Sequence, residues 1–344
     1  MALEPGRIDP PQLPDDFIIE EDFALGEGGQ RTKYKNNVEA IRLIRDLEAT
    51  GRTATTDEQK VLAKYVGWGG IPQAFDPDNK DWSAQYAELK SLLSADEWDA
   101  AFESTQYAHY TSREIINGMY AAVRRLGFTG GNVLEAGGGV GNFIGLMPVD
   151  LRTNGKVTLI ERETIAAAIA KHLYPRQNVR AEDFTEFGKG QDGQYDMQIG
   201  NPPFHSTPLT DKSGRKHLTG LSVHNYFIAK GVDMLRDGGI MAVVVSNSFM
   251  DAGNVRAREY IAKRAKLLGA IRLPNNAFSK NANTQVTTDI IFLQKLPESD
   301  WNSKAAIADG KRWVGVTTVN DPQGKGEVEL NQYFADNRDS DAGV

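Results

Sequence analysis

From Gly131 onward, short β-rich runs alternate with helical patterns, and few architectures accept that texture. The strand-like runs are Val133 to Glu135, Val157 to Glu161, Tyr195 to Gly200, Ile240 to Ser246, Leu268 to Leu273 and Val286 to Gln294. Helical patterns such as Thr164 to Leu173 and Asn225 to Leu235 lie between them. Strands separated by helices cross over to lie parallel, so the alternation predicts βαβ units and a doubly wound α/β sheet. The first third reads differently. Val38, Ile41, Ile44 and Leu47 recur every three residues between Lys33 and Glu48, the mark of an amphipathic helix. Thr55 with Glu58, and Ser94 with Glu97, are capping-box pairs that open helices through Val61, Leu62 and Tyr65 and through Trp98 and Phe102. The first of these stops at Gly67-Trp68-Gly69-Gly70. The expected organisation is a flexible lead over 1–30, a helical accessory region over 31–108, the α/β domain over 109–298, and a polar, partly disordered extension over 299–344.

Composition excludes several kinds of chemistry. The chain has no cysteine, which removes disulfides, thiolate nucleophiles and Cys-ligated zinc and suits a reducing cytoplasm. His109, His172, His205, His217 and His224 lack HExxH or similar spacing, so no metal is expected. No apolar run approaches the roughly 18–20 residues of a membrane span, and the polar, Pro-rich start is no signal peptide. The expectation is a cytoplasmic protein without a membrane partner. A net charge of −7 argues against nucleic-acid binding through a global field. It leaves room for one local basic groove, because phosphate contacts act within a Debye length of about 8–10 Å.

Glu135-Ala136-Gly137-Gly138-Gly139-Val140-Gly141-Asn142-Phe143 follows a strand and precedes a helix. Glycines there let the backbone turn sharply and approach a ligand that a Cβ would obstruct. Glu161 ends the next strand, 20 residues beyond Gly141. In nucleotide-binding α/β folds an acid at that place accepts hydrogen bonds from ribose hydroxyls. The other reading of Glu161 is a solvated acid at a strand end.

Tyr195 to Gly200 runs straight into Asn201-Pro202-Pro203-Phe204. Two consecutive prolines fix φ and remove two N–H donors, leaving a rigid loop that presents carbonyls. Such a surface suits methylation of an aromatic amine, a poor nucleophile whose lone pair is delocalised into its ring. The Asn201 side-chain oxygen and the Pro202 carbonyl can hold both amine hydrogens and favour a tetrahedral nitrogen, while Phe204 offers a flat face to the base. The competing reading is a Pro-Pro turn with a core phenylalanine.

The pattern E-x-G-x-G-x-G resembles motif I of S-adenosylmethionine-dependent methyltransferases rather than the dinucleotide GxGxxG. With Tyr65-Val66-Gly67-Trp68-Gly69-Gly70, His109-Tyr110-Thr111-Ser112, NPPF and the final strands, the chain resembles γ-type N6-adenine DNA methyltransferases from about Lys33 to Phe334. Within that group it is most similar to the methylase module of large phage and mobile-element methylase–helicase (antirestriction-type) proteins. The resemblance implies a Rossmann-like class I methyltransferase fold: seven strands, the last antiparallel, with an N-terminal helical region. It implies S-adenosylmethionine bound by Tyr110, Thr111, Glu135, Gly137, Gly139, Gly141, Asn142, Phe143, Glu161, Asp183, Phe184 and Asn201. Tyr110 and Thr111 would close over the methionine end, and Asp183 and Phe184 would meet the adenine. Thr111 and Asp183 can also be read as simple caps. Phe278 could be a second aromatic on the base, or a core or rim residue.

A base buried in a duplex cannot reach such a loop, so the substrate would be single-stranded or flipped out. His205 adjoins the loop, and Lys212, Arg215 and Lys216 are the favoured phosphate contacts. Arg256, Arg258, Lys263, Arg264 and Lys266 form a second basic stretch, equally readable as a solvated helix face. The chain departs from the large relatives by stopping soon after Tyr333-Phe334 without ATPase motifs and without an evident target-recognition domain. Specificity would then come from the N-terminal helices, the 205–222 loop, or a separate specificity or helicase partner acting with DNA. Three other readings share the loop. Ribosomal-RNA guanine-N2 methyltransferases often carry NPPF followed by His, as here; protein glutamine methyltransferases prefer Tyr at the fourth position; and an idle methyltransferase fold could simply bind nucleic acid.

Overall fold

The computed structural model describes residues 14–105, 111–274, 287–320 and 326–337. Four N-terminal helices, α1 (Gln30–Thr50), α2 (Thr56–Leu62), α3 (Ser83–Leu92) and α4 (Ala95–Ser104), precede an α/β unit. Both expected capping boxes form: Thr55 and Glu58 cap each other's backbone at α2, as do Ser94 and Glu97 at α4. The helical region is tied to its glycine turn by Asn37, whose buried amide donates to the Gly67 carbonyl at 2.6 Å and accepts from the Val66 N–H at 2.9 Å. Trp68 is fully buried there, with Tyr65 and Phe75 packed edge-on against it.

The α/β unit begins with α5 (Arg113–Arg125) and β1 (Asn132–Ala136), followed by short helices α6 (Asn142–Gly145) and α7 (Val149–Thr153). It continues through β2 (Lys156–Glu161), α8 (Thr164–Leu173), β3 (Asn178–Ala181), β4 (Tyr195–Gly200) and α9 (Val223–Met234). Then come β5 (Leu235–Ser246), α10 (Asn247–Asp251), α11 (Arg256–Ala262), β6 (Ala265–Arg272) and β7 (Thr288–Lys295). The seven strands lie in the order β3-β2-β1-β4-β5-β7-β6. Strands β1 to β5 pair in parallel, while β7 runs antiparallel between β5 and β6. This is the expected class I methyltransferase sheet with its last strand reversed. Alternating residues of β1 enter opposite cores: Val133 packs toward the N-terminal helices and α8, Leu134 toward α9 and α11. The chain order reverses between β1 and β4, which opens a crevice at the carboxyl ends of those two strands.

Two expectations about the chain's flanks need correction or extension. The lead is not free from residue 14 on. Phe17 and Ile19 are buried, and their N–H groups donate to the Leu173 and Gly145 carbonyls at 2.7 and 3.0 Å. Pro and Gly content signalled irregular backbone, but two apolar side chains and paired amides are enough to dock it. Beyond Leu296, helix Lys304–Trp313 buries Trp313 completely and is followed by a hairpin of β8 (Val316–Asn320) and β9 (Glu327–Asn331). Buried Asn331 clamps this extension by donating to the Met250 and Trp313 carbonyls at 2.7 and 2.8 Å.

Candidate active site

The glycine loop after β1 and the NPPF loop after β4 face each other across the crevice. A cavity of about 570 Å³ lies between them, within the usual range for small-ligand sites. Thr111, Glu135, Gly137, Gly139, Asn142, Phe143, Glu161, Asp183, Phe184, Asn201, Pro202, Pro203, Phe204 and His205 all line it. Residues far apart in sequence therefore converge because parallel strands deliver their carboxyl ends to one edge.

Each glycine has a separate task. Gly139 has φ +56° and open space where a side chain would project. Gly137, φ +72°, lies so close to the NPPF loop that a Cβ would sit 3.0 Å from Pro203 Cδ. Gly141 does not line the cavity. At φ +83° an added Cβ would strike the Tyr174 ring at 2.5 Å, so this glycine lets the loop pack closely on that ring.

The electrostatics are unusual for a nucleotide pocket. Glu103, Glu135, Glu161, Glu163, Glu182 and Asp183 line the cavity, against Arg162 as the one lysine or arginine there among the described residues. Glu161 accepts from the Gly139 and Glu163 amides, both at 2.8 Å. Burial nevertheless raises its carboxyl above the ordinary range. Glu135 is 2% exposed, and its Oε2 has no hydrogen-bond partner among the described residues. Burial, then the charge of Glu161, pushes it well above the ordinary range. Glu163 caps α8 through the Ile165 and Ala166 amides, and burial with the Glu161 charge raises it to about 7. A phosphate would meet repulsion here; a cation would relieve it.

The caps resolve as well. Ser112, not Thr111, caps α5, and buried Thr111 lines the cavity. Asp183 does both: it accepts from the Thr185 amide at 2.7 Å and borders the cavity. Phe184 packs 4.7 Å from Phe227, and both rings reach the wall. Tyr110 and Phe278 lie outside the described residues.

Among the cations, the structure separates those that sequence could not. Lys212 and Lys216 are exposed, Lys212 paired with Glu186 at 2.8 Å, and neither lines the cavity. Arg215 is corrected from a phosphate contact to a buried anchor. Its guanidinium binds Ser213, the Gly188 carbonyl and Asp192. Arg258 is likewise buried, donating to the Val314, Phe249 and Ala252 carbonyls. Sequence reasoning also missed Ala100, Phe102, Glu103 and Ser104, cavity residues supplied by the N-terminal region. Half-exposed Phe102 looked like any apolar helix position. Among the described residues, no group of three or more His, Cys, Asp or Glu is arranged to hold a metal, and no helix is long and apolar enough to cross a membrane.

Comparison with known proteins gives three results. A model of the Eco57I restriction-modification methylase family matches residues 75–278, more than half of the chain. The "Defense against restriction protein B" of Escherichia phage P1 is 25% identical over 274 residues, 79% of this chain. The chain spans only 10% of that relative's length. Among solved structures, a modification subunit of a putative type I restriction enzyme from Vibrio vulnificus aligns with TM-score 0.46 and 16% identity, over 74% of this chain and 63% of that one. A putative class I S-adenosylmethionine-dependent methyltransferase from Listeria monocytogenes aligns with TM-score 0.46 and 14% identity, over 76% and 88%.

Proposed function

The chain belongs to the Eco57I restriction-modification methylase family, and on that premise we propose that it transfers a methyl group from S-adenosylmethionine to N6 of adenine in DNA. The observation that carries this reading is the meeting of Asn201-Pro202-Pro203-Phe204 with the glycine loop and Glu161 in one acid-lined cavity. That lining suits a cofactor bearing a sulfonium and an ammonium and no phosphate. When bound, the cofactor supplies an electrophilic methyl group. Glu161 would hold the ribose, Asp183 and Phe184 the adenine, and Thr111, Asn142 and Phe143 would surround the methionine end, with Gly137 and Gly139 giving room and Glu135 charge.

The remaining work belongs to the NPPF loop. The Asn201 side-chain oxygen and the Pro202 carbonyl accept the two N6 hydrogens, and Phe204 stacks on the extruded base. This arrangement turns the nitrogen lone pair toward the methyl group and stabilises the positive charge that grows on nitrogen during transfer. The proton then leaves to water. Exposed Lys212 and Lys216 offer phosphate contacts beside the site, and a separate specificity or helicase partner would select the target. The reading places the chain with DNA in the bacterial cytoplasm. A relative named for defence against restriction supports a role in protecting phage or mobile-element DNA.

The test is transfer of labelled methyl groups to unmethylated duplex and single-stranded DNA. Nucleoside digestion is expected to show N6-methyladenine, and label confined to rRNA or protein overturns the substrate. Asn201→Ala is expected to lower turnover at least about 100-fold, the scale of losing a positioned transition-state acceptor, with cofactor affinity near normal.

A further inference from the structure

We infer that Phe102 of α4 binds the cofactor, so that the N-terminal helical region supplies an aromatic wall at the nucleoside end of the cavity. This rests on the reading of the cavity as the S-adenosylmethionine site. Phe102 lines that cavity yet remains 48% exposed. A large apolar ring left open at a ligand site has surface to bury against an occupant.

The ring is held from behind. Its centroid lies 6.0 Å from Phe75, and Phe75 packs 5.3 Å from fully buried Trp68 and 4.9 Å from Trp98. The next residue, Glu103, pairs with Arg162 at 3.2 Å, and Arg162 directly follows Glu161. Both partners of that pair are more than half exposed, so it marks where α4 meets the end of β2 rather than adding much stability. Phe102 and the strand-end acid proposed to hold the ribose thus line the same cavity, and their chain neighbours Glu103 and Arg162 are in contact. A flat apolar ring in one cavity with a ribose acceptor fits a purine, whose π face stacks on an aromatic side chain. Because Phe102 comes from outside the α/β unit, cofactor binding would also draw α4 against the sheet edge.

Calorimetric titration of the whole chain with S-adenosylhomocysteine decides the matter, using the unaltered protein, Phe102→Ala, Phe102→Leu and Phe102→Trp. Phe102→Ala is expected to weaken affinity about tenfold, and Phe102→Trp to keep it within about twofold, the span expected from losing or keeping one ring contact. In turnover, Phe102→Ala raises KM for the cofactor and leaves kcat at saturation unchanged, a split that a purely structural defect does not produce. The thermal midpoint without ligand stays near that of the unaltered chain. Unchanged affinity in Phe102→Ala, or wild-type affinity in Phe102→Leu, overturns the aromatic wall. A loss of affinity that tracks a fall in midpoint overturns it too. No heat from the unaltered chain refutes the cofactor reading itself, and this inference with it.

Discussion

Two acid-bearing clusters lie within the same fold and are treated in opposite ways. Around the glycine loop, Glu161 and Glu163 are held by backbone amides, and Glu135 has an oxygen without any partner among the described residues. All three are pushed upward by burial. Behind Phe184, Asp211 is saturated: Tyr226 donates at 2.5 Å, the Arg215 amide at 2.6 Å and Ser213 at 2.9 Å, with the Lys230 ammonium at 3.4 Å. Burial alone would raise Asp211, yet these donors and the charge on Lys230 hold it at about 2. Lys230 in turn reaches the Phe184 carbonyl at 2.5 Å and Ser213 at 3.0 Å. A cluster that completes its own charge and hydrogen bonds is scaffold; one kept short of positive charge is poised for a cationic ligand.

The contrast can be broken most decisively at Lys230. Lys230→Met strands a buried carboxylate, so urea unfolding is expected to show a loss of about 3–5 kcal/mol. A loss under about 1 kcal/mol would mean that Asp211 is not held by its cation. The next effect belongs to the other cluster and has a different readout. Glu161→Ala is expected to lower cofactor affinity about 100-fold, or about 2.7 kcal/mol, while the cofactor-free protein unfolds no more easily. If that variant proves unstable instead, the two clusters do not differ in kind. Glu135→Gln removes a buried ionisable group and keeps its shape. Stability without cofactor should rise by about 1 kcal/mol, and affinity should fall several-fold; a net loss of stability would show that the carboxyl is needed for folding.

The smallest effect is a pH dependence. Glu163, raised from 4.5 to about 7, binds its proton more tightly folded than unfolded. Its contribution to stability is complete below pH 4.5 and disappears as pH rises through 7. Asp211, lowered to about 2, acts in the reverse sense: its contribution is present above pH 3.8 and is lost as pH falls through 2. The cofactor-free protein should therefore lose stability between about pH 5 and 7.5, whereas affinity for the cationic cofactor should rise a few-fold between pH 6 and 8. Urea titrations and calorimetry at three pH values suffice, and parallel trends would contradict the assignment.

Much of this was legible in the sequence because the signals are local. Capping boxes fixed where α2 and α4 begin, and apolar runs located β1, β2 and β4 to β7. Strand β3 escaped because it is an edge strand whose residues, Asn178 to Ala181, are exposed or half-buried and show no apolar alternation. The loops after β1 and β4 and the acid ending β2 could be located because each is marked by a pattern within a few residues, and all three line the cavity. Arg215 and Arg258 were not, because whether a cation turns inward depends on carbonyls and acids contributed by other segments, here Gly188, Asp192, Phe249, Ala252 and Val314. Phe102 was invisible for the same reason. Its helix was recognised, but nothing in the periodicity says that its ring borders a cavity made by strands thirty and more residues downstream.

The close approach of Gly137 to Pro203 has one more consequence. Two loops more than sixty residues apart in the chain share a single van der Waals boundary, so neither can be redesigned as an independent part. An engineer who grafts a different loop after β4 also alters the floor under the glycine loop. Any such transplant must carry both loops together, and the smallest transferable unit of this site is the β1–β4 pair with both its turns.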